Sequence, residues 1–489
     1  MTTEKLQKIL EIGIALSEEK DYNRLLEQIL SDVMWLTNCD AGTLYLKTGD
    51  YLNFKIMRND TMKTYQGGDG EAVDLPPVPI SSGTVSGLAA LTEQTICIDD
   101  VWNCREYDLS GPIQYDKITH YHSQSMLVVP MKNRRGEISG VLQLINAQNE
   151  AKETIPFAKD CVRLVESVAS QAAVAIQNME YLTAIKGLFH SFVQVMSTAI
   201  DERTPYNATH TRNMVRYGER FVDYLNQKQT DAGEEVLFGP ERKEEFLMSV
   251  WFHDIGKLVT PLEIMNKAAR LTPQEMKDIQ YRFETMRLRL KIQLLEQKLS
   301  EEDYSTGIAR MEEGEKLIFR ANEAGFLPDE TLAEIERLAE YTCPENPKKH
   351  WLTEDELHRL QIRKGTLTGE ERQIMEEHVK ITRKLLSEIE FPKQYEHVIR
   401  WASSHHEYIN GTGYPEHISG EAVPYEVRIL TILDIYDALT ADDRPYKPGM
   451  PAEKALSILQ AMAEKEGKLD IALTRQFIES RSWDNAKEA

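Results

Sequence analysis

The 489-residue sequence is poor in cysteine and in long apolar runs, and it carries far more acid than base. Its five cysteines include no Cys-x-x-Cys pair, which argues against a thiolate zinc site and against a disulfide framework. No apolar run approaches the ~20 residues that cross a bilayer, and the N-terminus lacks the apolar core of a signal peptide. We therefore expect a cytoplasmic protein that does not bind membranes. The net charge of −22 disfavours a nucleic acid polymer as partner, whereas a small phosphorylated ligand needs only a few local cations.

Residues 1–155 alternate amphipathic helical patterns with short strand-like runs and turn residues. The pattern predicts helices within 5–36, and strands at 41–46, 51–56, 94–98, 125–130 and 139–146. Two helices, a mixed sheet and a closing helix are typical of an α+β domain.

This region resembles a GAF domain, a small-ligand sensor module, over about residues 5–180. The resemblance rests on Ser82-Gly83-Thr84-Val85-Ser86-Gly87-Leu88, on Ile98-Asp99-Asp100-Val101, and on Leu142-Gln143-Leu144-Ile145-Asn146 followed by Phe157 and Asp160. It implies a central antiparallel sheet and an unknown small ligand. GAF domains that bind cyclic nucleotides tend to carry Asn-Lys, whereas Asn146 precedes Ala147 here. A different ligand, or none, therefore stays an open alternative.

A long helix is predicted after Cys161, because apolar residues recur there in steps of three and four. The seam consists of Val165, Val168, Ala172, Ala175, Met179, Leu182, Phe189, Val193, Met196 and Ile200. We interpret it as the coiled coil of a parallel homodimer, which could transmit a signal from sensor to enzyme. The alternative is a helix that packs on its own domain.

Residues 274–365 are dense in charged residues, Leu and Met, with apolar residues at helical spacing, and they predict a helical hairpin inserted into the following domain. Its flanks look alike, Leu271-Thr272-Pro273-Gln274-Glu275 before it and Leu367-Thr368-Gly369-Glu370-Glu371 after it. A partial duplication or repeated helix-start chemistry would each explain this likeness, and the second explanation is simpler.

Histidines and carboxylates after residue 200 supply the candidate metal ligands. They are His210, His253, Asp254, His378, His405, His406 and Asp434. Imidazole with carboxylate, and without thiolate, suits first-row transition metals such as Fe or Mn. Seven ligands are too many for one ion and suit two, which Asp254 would bridge. Lys257 lies about one helical turn from Asp254, where its ammonium could neutralise a phosphoryl group or protonate a leaving alkoxide.

The motifs around these residues resemble the HD-GYP family, a branch of the HD phosphohydrolases, over roughly 190–275 and 365–475. The motifs are His253-Asp254-Ile255-Gly256-Lys257, His405-His406-Glu407, Gly413-Tyr414-Pro415 and Asp434-Ile435-Tyr436-Asp437-Ala438. The resemblance implies an all-α domain that hydrolyses a cyclic dinucleotide, chiefly cyclic di-GMP, to the linear pGpG and sometimes to GMP. It implies that Asp254 and Lys257 are catalytic, that the seven residues above bind metal, and that Gly413, Tyr414, Arg444 and Lys447 bind substrate.

The sequence departs from the family pattern in two places. Members with a third metal carry Glu one turn before the first histidine, where this chain has Tyr206, so we expect two metals. The stretch from Leu439 to Arg444 is one residue longer than a common form of the pattern, which could alter substrate preference.

We thus predict a GAF sensor at 1–160, a coiled-coil helix at 161–200, and an HD-GYP domain at 201–489 with the insertion at about 274–365. Cyclic GMP-AMP is the alternative substrate. A receptor that binds the nucleotide without hydrolysing it is the alternative function, although intact Lys257 and a full ligand set argue against it.

Overall fold

The computed structural model describes residues 3–19, 21–203, 209–343, 346–441 and 449–484. The chain forms two compact units, Met1–Phe189 and His190–Ala489. Within the described residues, no helix combines the length and apolar character that crossing a bilayer requires.

The first unit is an antiparallel sheet with helices. Its elements are α1 (Thr3–Glu18), α2 (Tyr22–Thr37), β1 (Cys39–Thr48), β2 (Tyr51–Asn59), β3 (Thr64–Gly67), β4 (Val78–Pro79), α3 (Val85–Thr92), β5 (Ile96–Ile98), α4 (Ser110–Thr119), β6 (Met126–Lys132), β7 (Ile138–Gln148) and β8 (Thr154–Ile155). The strand order is β3-β2-β1-β7-β6-β5, with β4 paired to β2 and β8 paired to β7. The predicted α+β fold of this region is confirmed.

Alternating side chains divide the sheet into two apolar faces, as the two-residue period of a strand requires. Leu44 and Leu127 join the core formed with α1, α2 and the long helix α5 (Lys159–Asp201). Tyr45 and Met126, their neighbours in sequence, point to the opposite face and pack with α3.

Helix α5 confirms that one continuous helix leads out of the first unit. The predicted seam is not the face of α5 that is open to a partner. Its residues Val165, Val168 and Ala172 are fully buried in the core of their own domain. Val193 and Ile200 are buried too. The alternative, a helix packed on its own domain, is therefore correct for Val165, Val168 and Ala172.

In the part of the second unit that the structure describes, the regular elements are helices and one short two-stranded sheet. Its elements are α6 (His210–Asp231), α7 (Pro240–Phe252), a 3₁₀ helix (Ile255–Leu258), α8 (Leu262–Met265), α9 (Pro273–Leu295), α10 (Glu301–Glu323), α11 (Asp329–Glu340), β9 (Thr342–Cys343), β10 (Asn346–His350), α12 (Glu354–Leu360), α13 (Gly369–Glu376), α14 (His378–Leu386), a 3₁₀ turn (Lys393–Tyr395), α15 (Val398–Ala402), a 3₁₀ turn (Gly420–Ala422), α16 (Tyr425–Thr440), α17 (Ala452–Glu464) and α18 (Ile471–Ser480). Residues of α6, α7, α16, α17 and α18 share one core. The predicted helical fold is confirmed.

The insertion is larger than the predicted hairpin. Besides α9 and α10 it contains α11, the β9–β10 sheet and α12, around a separate core that runs from Leu271 to Leu360. Its two ends meet, because the Thr366 hydroxyl donates to the Lys267 carbonyl at 2.9 Å and Lys267 Nζ contacts Glu371 at 2.7 Å.

The similar flanks of the insertion are helix-start motifs. Thr272 with Glu275 and Thr368 with Glu371 each form a reciprocal capping box, in which the threonine side chain accepts from the glutamate amide and the glutamate accepts from the threonine amide. Thr353 and Glu356 form a third box at α12. Repeated capping chemistry thus accounts for the likeness.

Candidate metal centre

Helix ends bring the candidate ligands to one place in the second unit. His210 is the first residue of α6, His253 follows α7 directly, and His378 is the first residue of α14. His405 and His406 follow α15 within three and four residues, and Asp434 lies within α16. Residues more than 100 apart in the chain therefore share one site, since His253 and His378 flank the insertion.

The ligand atoms form two groups of three. His210, His253 and Asp254 make one group, and each offers an atom within 4.8 Å of the other two. His378, His405 and His406 make the other group under the same limit. Five of these six side chains are buried, and His406 is partly buried.

Asp254 lies between the two groups. Its Oδ2 is 3.4 Å from His253 Nε2 and 3.7 Å from His210 Nε2, whereas its Oδ1 is 3.6 Å from His378 Nε2 and 3.8 Å from His405 Nε2. One carboxylate oxygen thus faces each group, as a bridging ligand requires.

Asp434 spans the groups in a similar way. Its Oδ1 is 3.6 Å from His210 Nε2, and its Oδ2 is 3.7 Å from His406 Nδ1. The structure therefore brings all seven sequence-predicted ligands together.

The histidine hydrogen bonds fit metal binding at Nε2. The Nδ1 atoms of His253, His378 and His405 lie 2.6–2.7 Å from the carbonyl oxygens three residues earlier, so each Nδ1 carries the proton and donates it. The Nε2 lone pairs of His378 and His405 then face each other at 3.4 Å, and His253 Nε2 lies 3.3 Å from His210 Nε2.

A bound cation would remove the repulsion between acceptor atoms that face each other. The buried Asp254 Oδ1 also has no hydrogen-bond partner among the described residues. Such orphaned oxygens and facing imidazole nitrogens are the donor set that a transition metal takes up, with backbone carbonyls fixing the rings from behind. The residues therefore fit the implied metals.

Burial controls the charge of the imidazoles. It lowers the pKa of His405 well below the usual range and lowers the pKa of His406 to about 3. These rings are neutral at physiological pH, which is the form that binds metal. Burial would raise the pKa of Asp254, but the cationic Lys257 and the neighbouring His253 outweigh it and hold that pKa well below its usual value.

Asp437 supports a candidate ligand and was not assigned in the sequence analysis. Its Oδ2 lies 2.6 Å from His210 Nδ1. Burial opposes charge on His210, yet the hydrogen bond to Asp437 prevails and raises the His210 pKa to about 9. Asp437 thereby fixes the ring so that Nε2 faces the cluster. The signal was available, because Asp437 follows Asp434 by one helical turn in the same motif.

Lys257 reaches the bridging carboxylate. Its Nζ is 2.5 Å from Asp254 Oδ2, within the turn formed by the 3₁₀ helix that Asp254 begins. Gly256 in this turn lies against α14, where a Cβ would come within 1.9 Å of the His378 carbonyl oxygen. The motif therefore needs glycine at this position to let two ligand-bearing segments meet.

The glycine-rich turn lies beside the second group. A Cβ at Gly413 would approach the Tyr408 amide nitrogen to 2.3 Å, so this position also needs glycine. The Tyr414 ring lies over His406 with centroids 4.8 Å apart, and Tyr414–Pro415 is a cis peptide. Arg444, Lys447 and Tyr206 lie outside the described residues.

Glu407 supports this turn and was likewise not assigned from the sequence. The residue is buried, and its Oε1 accepts from the backbone amides of Glu416 and His417 at 2.6 and 3.1 Å. Its position directly after the histidine pair was the available signal. Glu407 thus fixes the path of the chain after Tyr414.

The first unit contains a separate cavity of about 260 Å³ on the α3 side of the sheet. The aromatic residues Tyr45, Phe54, Tyr115 and Tyr121 line it together with polar groups such as Gln143. The side chain of Asn146, close to Tyr121, uses its hydrogen-bonding groups within the protein. Its Oδ1 accepts from the amides of Gln124 and Ser125, and its Nδ2 donates to the Tyr121 hydroxyl and the His122 carbonyl. This motif asparagine therefore orders a loop.

Comparisons with known proteins find a family match within each unit. The GAF domain family matches residues 21–176, and an HD domain family matches residues 354–473. The chain thus contains a GAF domain and an HD domain, which confirms the predicted fusion. The HD match begins beyond His210, His253 and Asp254, which precede the insertion.

Among curated proteins, the chain is 36% identical over 96 residues to 3'3'-cGAMP-specific phosphodiesterase 3 of Vibrio cholerae, covering 20% of each chain. It is 38% identical over 101 residues to the cyclic di-GMP phosphodiesterase response regulator RpfG of Xanthomonas campestris, covering 20% of this chain and 26% of that protein. The chain therefore matches about a quarter or less of these relatives' lengths. The crystal structure of the GAF domain from Acinetobacter phosphoenolpyruvate-protein phosphotransferase is 16% identical, with 37% of this chain and 97% of that chain covered and a TM-score of 0.28.

Proposed function

We propose that this chain is a metal-dependent phosphodiesterase that opens a cyclic dinucleotide to its linear form. The observation that carries the proposal is the Asp254 carboxylate, which has one oxygen facing each group of imidazoles and Lys257 Nζ beside it. Relatives named as phosphodiesterases of cyclic di-GMP and of 3'3'-cGAMP support the substrate class.

The reaction adds water across one phosphodiester bond. The water oxygen forms a bond to phosphorus, the bond from phosphorus to the 3' oxygen breaks, and that oxygen takes a proton. Two Fe or Mn ions, held by the seven ligands, would supply Lewis acidity and a water of lowered pKa. His210 and His253 would hold one ion and His378, His405 and His406 the other, with the Asp254 and Asp434 carboxylates available to both.

The remaining roles belong to the chain itself. Lys257 Nζ, 2.5 Å from Asp254, would neutralise the phosphoryl oxygens or give its proton to the leaving 3' oxygen. The Tyr414 ring would stack on a purine base beside the site. Arg444 and Lys447 would grip phosphate, a role proposed from the family resemblance alone.

A direct assay of hydrolysis identifies the substrate. Purified protein loaded with Mn or Fe is incubated with cyclic di-GMP or cyclic GMP-AMP, and the products are separated by chromatography. We expect linear dinucleotide from the intact protein, and none from Asp254→Ala, which should also lose metal. Turnover by a metal-free Asp254→Ala protein would contradict the bridging role.

The same assay separates an enzyme from a receptor. If the loaded protein binds either nucleotide tightly and releases no linear product, the protein is a receptor and the hydrolytic proposal is wrong. The relative kcat/KM for the two nucleotides ranks the substrates.

We also propose that the GAF cavity binds a small molecule that regulates the HD domain. Its aromatic walls fit a planar or apolar ligand, and Gln143 offers a polar contact. A thermal-shift screen of small metabolites should find one that stabilises the wild type and does not stabilise Ser86→Leu, which places a larger side chain in the cavity. Equal stabilisation of both proteins would contradict binding there.

A second copy of the chain is the partner that we propose for α5. Exposed apolar residues follow one another in steps of four and three, which is the spacing of a coiled-coil seam: Tyr181, Ile185, Leu188, Phe192 and Val195. Leu188 is 72% exposed. This stripe replaces the seam predicted from the sequence, much of which is buried.

The stripe predicts a dimer that a single charge disrupts. Light scattering should find a dimer of the wild type and a monomer of Ile185→Glu. Thr183→Glu, which places the same charge away from the stripe on an exposed position, should stay dimeric. A monomeric wild type would contradict the proposal.

A further inference from the structure

Arg203 contacts the turn that carries the catalytic lysine. Arg203 lies two residues beyond the end of α5, and its Nη1 donates to the Lys257 carbonyl at 2.9 Å and to the Leu258 carbonyl. Its Nη2 donates to the Thr260 carbonyl at 3.4 Å. One guanidinium thus spans the carbonyl end of the 3₁₀ helix Ile255–Leu258.

The turn's own backbone hydrogen bonds are long at this end. The Val259 amide donates to Gly256 and the Thr260 amide donates to Lys257, both at 3.2 Å, which is the long limit for such bonds. A cation at the carbonyl end of a helix is favourable, and the planar arginine fork can fix several carbonyls at once. The Arg203 bond to the Lys257 carbonyl, at 2.9 Å, is shorter than either of these backbone bonds, so Arg203 adds to the hold on this end of the turn.

The opposite side of the turn is fixed by α14. The Gly256 amide donates to the Thr382 hydroxyl at 3.0 Å, and that hydroxyl donates to the His253 carbonyl at 3.1 Å. The backbone of Lys257 thus lies between two supports, Thr382 towards the metal ligands and Arg203 towards the end of α5.

We propose that Arg203 is a positioning residue that sets Lys257 against Asp254, and that it ties the lysine's turn to the end of α5. The inference rests on the proposed phosphodiesterase function. A displacement of about 1 Å at a catalytic group can cost on the order of 10²-fold in rate. A movement at the end of α5 would therefore reach the lysine through one side chain.

The first test compares kcat, KM and metal content of Mn-loaded wild type, Arg203→Ala and Arg203→Lys. We expect Arg203→Ala to lower kcat by about 10- to 100-fold, with KM and metal content unchanged. Arg203→Lys keeps the charge but cannot span three carbonyls, so its loss should be smaller. Glu202→Ala, an exposed neighbour, is the matched control and should behave as the wild type.

The second test asks whether Arg203 acts through Lys257. In a Lys257→Ala background, Arg203→Ala should cause no further loss of kcat, because the group that it positions is gone. Independent, multiplying losses would overturn the proposal, as would an Arg203→Ala enzyme within twofold of wild-type kcat. If Arg203→Ala does not fold, Arg203→Lys with wild-type kcat would overturn it as well.

Hydrogen exchange gives a readout that needs no activity. Peptides covering residues 255–262 should exchange faster in Arg203→Ala and in Arg203→Lys than in the wild type, and peptides from α16 should not change. Unchanged exchange at 255–262 would refute the hold by Arg203. If the wild type hydrolyses no cyclic dinucleotide, the proposed function fails, and exchange still decides the role of Arg203.

Discussion

At the scale of single residues, Asp437 tests whether the site is built to bind metal. Its carboxylate fixes the His210 ring from behind at 2.6 Å. We expect Asp437→Ala to weaken metal binding by about 10- to 100-fold, because a ligand without its supporting carboxylate loses its orientation and basicity. Asp437→Asn should lose less, since the amide oxygen can still accept from Nδ1.

Titration of the metal-free variants with Mn²⁺ measures this effect. Asp231→Ala, at the exposed end of α6, is the control and should bind as the wild type does. Wild-type affinity in Asp437→Ala would mean that His210 does not depend on Asp437, or is not a ligand.

Substitution of glycine by alanine should have opposite effects on local stability at two positions. A Cβ added at Gly187 in α5 or at Gly49 between β1 and β2 meets no described atom within 4 Å. Gly187 is helical, so Gly187→Ala should stabilise its helix by about 0.5–1 kcal/mol. Gly49 has φ of +59°, so Gly49→Ala should destabilise its turn by roughly 1–2 kcal/mol.

Local hydrogen exchange of α5 and of the β1–β2 hairpin reports the two free energies. Destabilisation by Gly187→Ala would show that α5 has a neighbour at that position, such as a second copy of the chain.

Residue types predicted the candidate metal ligands that the structure brings together, but not the groups that support them. His253 and His405 lie in recognisable motifs, and imidazole beside carboxylate restricts the chemistry to a few metals. The carbonyl of Val250 that accepts from His253 Nδ1, by contrast, exists at any sequence. Backbone partners therefore have no sequence signal, and only the fold reveals them.

At the scale of elements, the insertion contains a buried ion pair that should matter for its stability. Arg282 binds both oxygens of Glu356, at 2.7 and 3.0 Å, and the side chains are 14% and 6% exposed. Arg282→Ala would leave Glu356 buried without its charge partner, which costs about 3–5 kcal/mol. The exposed pair of Arg363 and Asp329 is the contrast, and Arg363→Ala should cost no more than about 1 kcal/mol.

The free energy of local opening, measured by hydrogen exchange in α9 and α12, separates the two cases. Equal small losses in both variants would show that water reaches Glu356. The same exchange pattern in α16 serves as the internal control.

The period of the apolar residues predicted α5 but misidentified the face available to a partner. A step of three and four residues marks any buried stripe, whether it packs on its own domain or on a second copy. Val168 and Ile185 both fit such a stripe, and only their burial distinguishes them: Val168 is fully buried, whereas Ile185 is 63% exposed. Tertiary packing therefore decides what periodicity leaves open.

At the scale of the whole molecule, metal should stabilise one unit and not the other. All seven candidate ligands lie in His190–Ala489. Ligand binding to the folded state stabilises by about 4 kcal/mol at a thousandfold excess over Kd. A chelator should therefore lower the unfolding temperature of the second unit and leave that of Met1–Phe189 unchanged. Calorimetry with and without the chelator measures both temperatures.

Domains produced separately would assign the two transitions. A chelator that shifts both transitions would show that the units unfold together, and one that shifts neither would argue against metal in the purified protein.

The order of domains followed from the sequence, because helix and strand periods differ and the motifs occur in sequence order. The content of the insertion did not follow. The predicted hairpin accounts for α9 and α10, but β9 and β10 are short, and strands of two and five residues leave too few alternations to detect. Its separate core was likewise visible only in the structure, through residues such as Phe283 and Trp351.

The meeting of the insertion's two ends has a practical consequence. Lys267 and Thr366 are joined by a hydrogen bond, so a linker of a few residues could replace everything between them without separating His253 from His378. Closing a short loop instead of one of about 100 residues costs less entropy, by about 2–3 kcal/mol. A fluorescent reporter whose termini lie close together could be grafted at the same place, between the chain segments that carry His253 and His378.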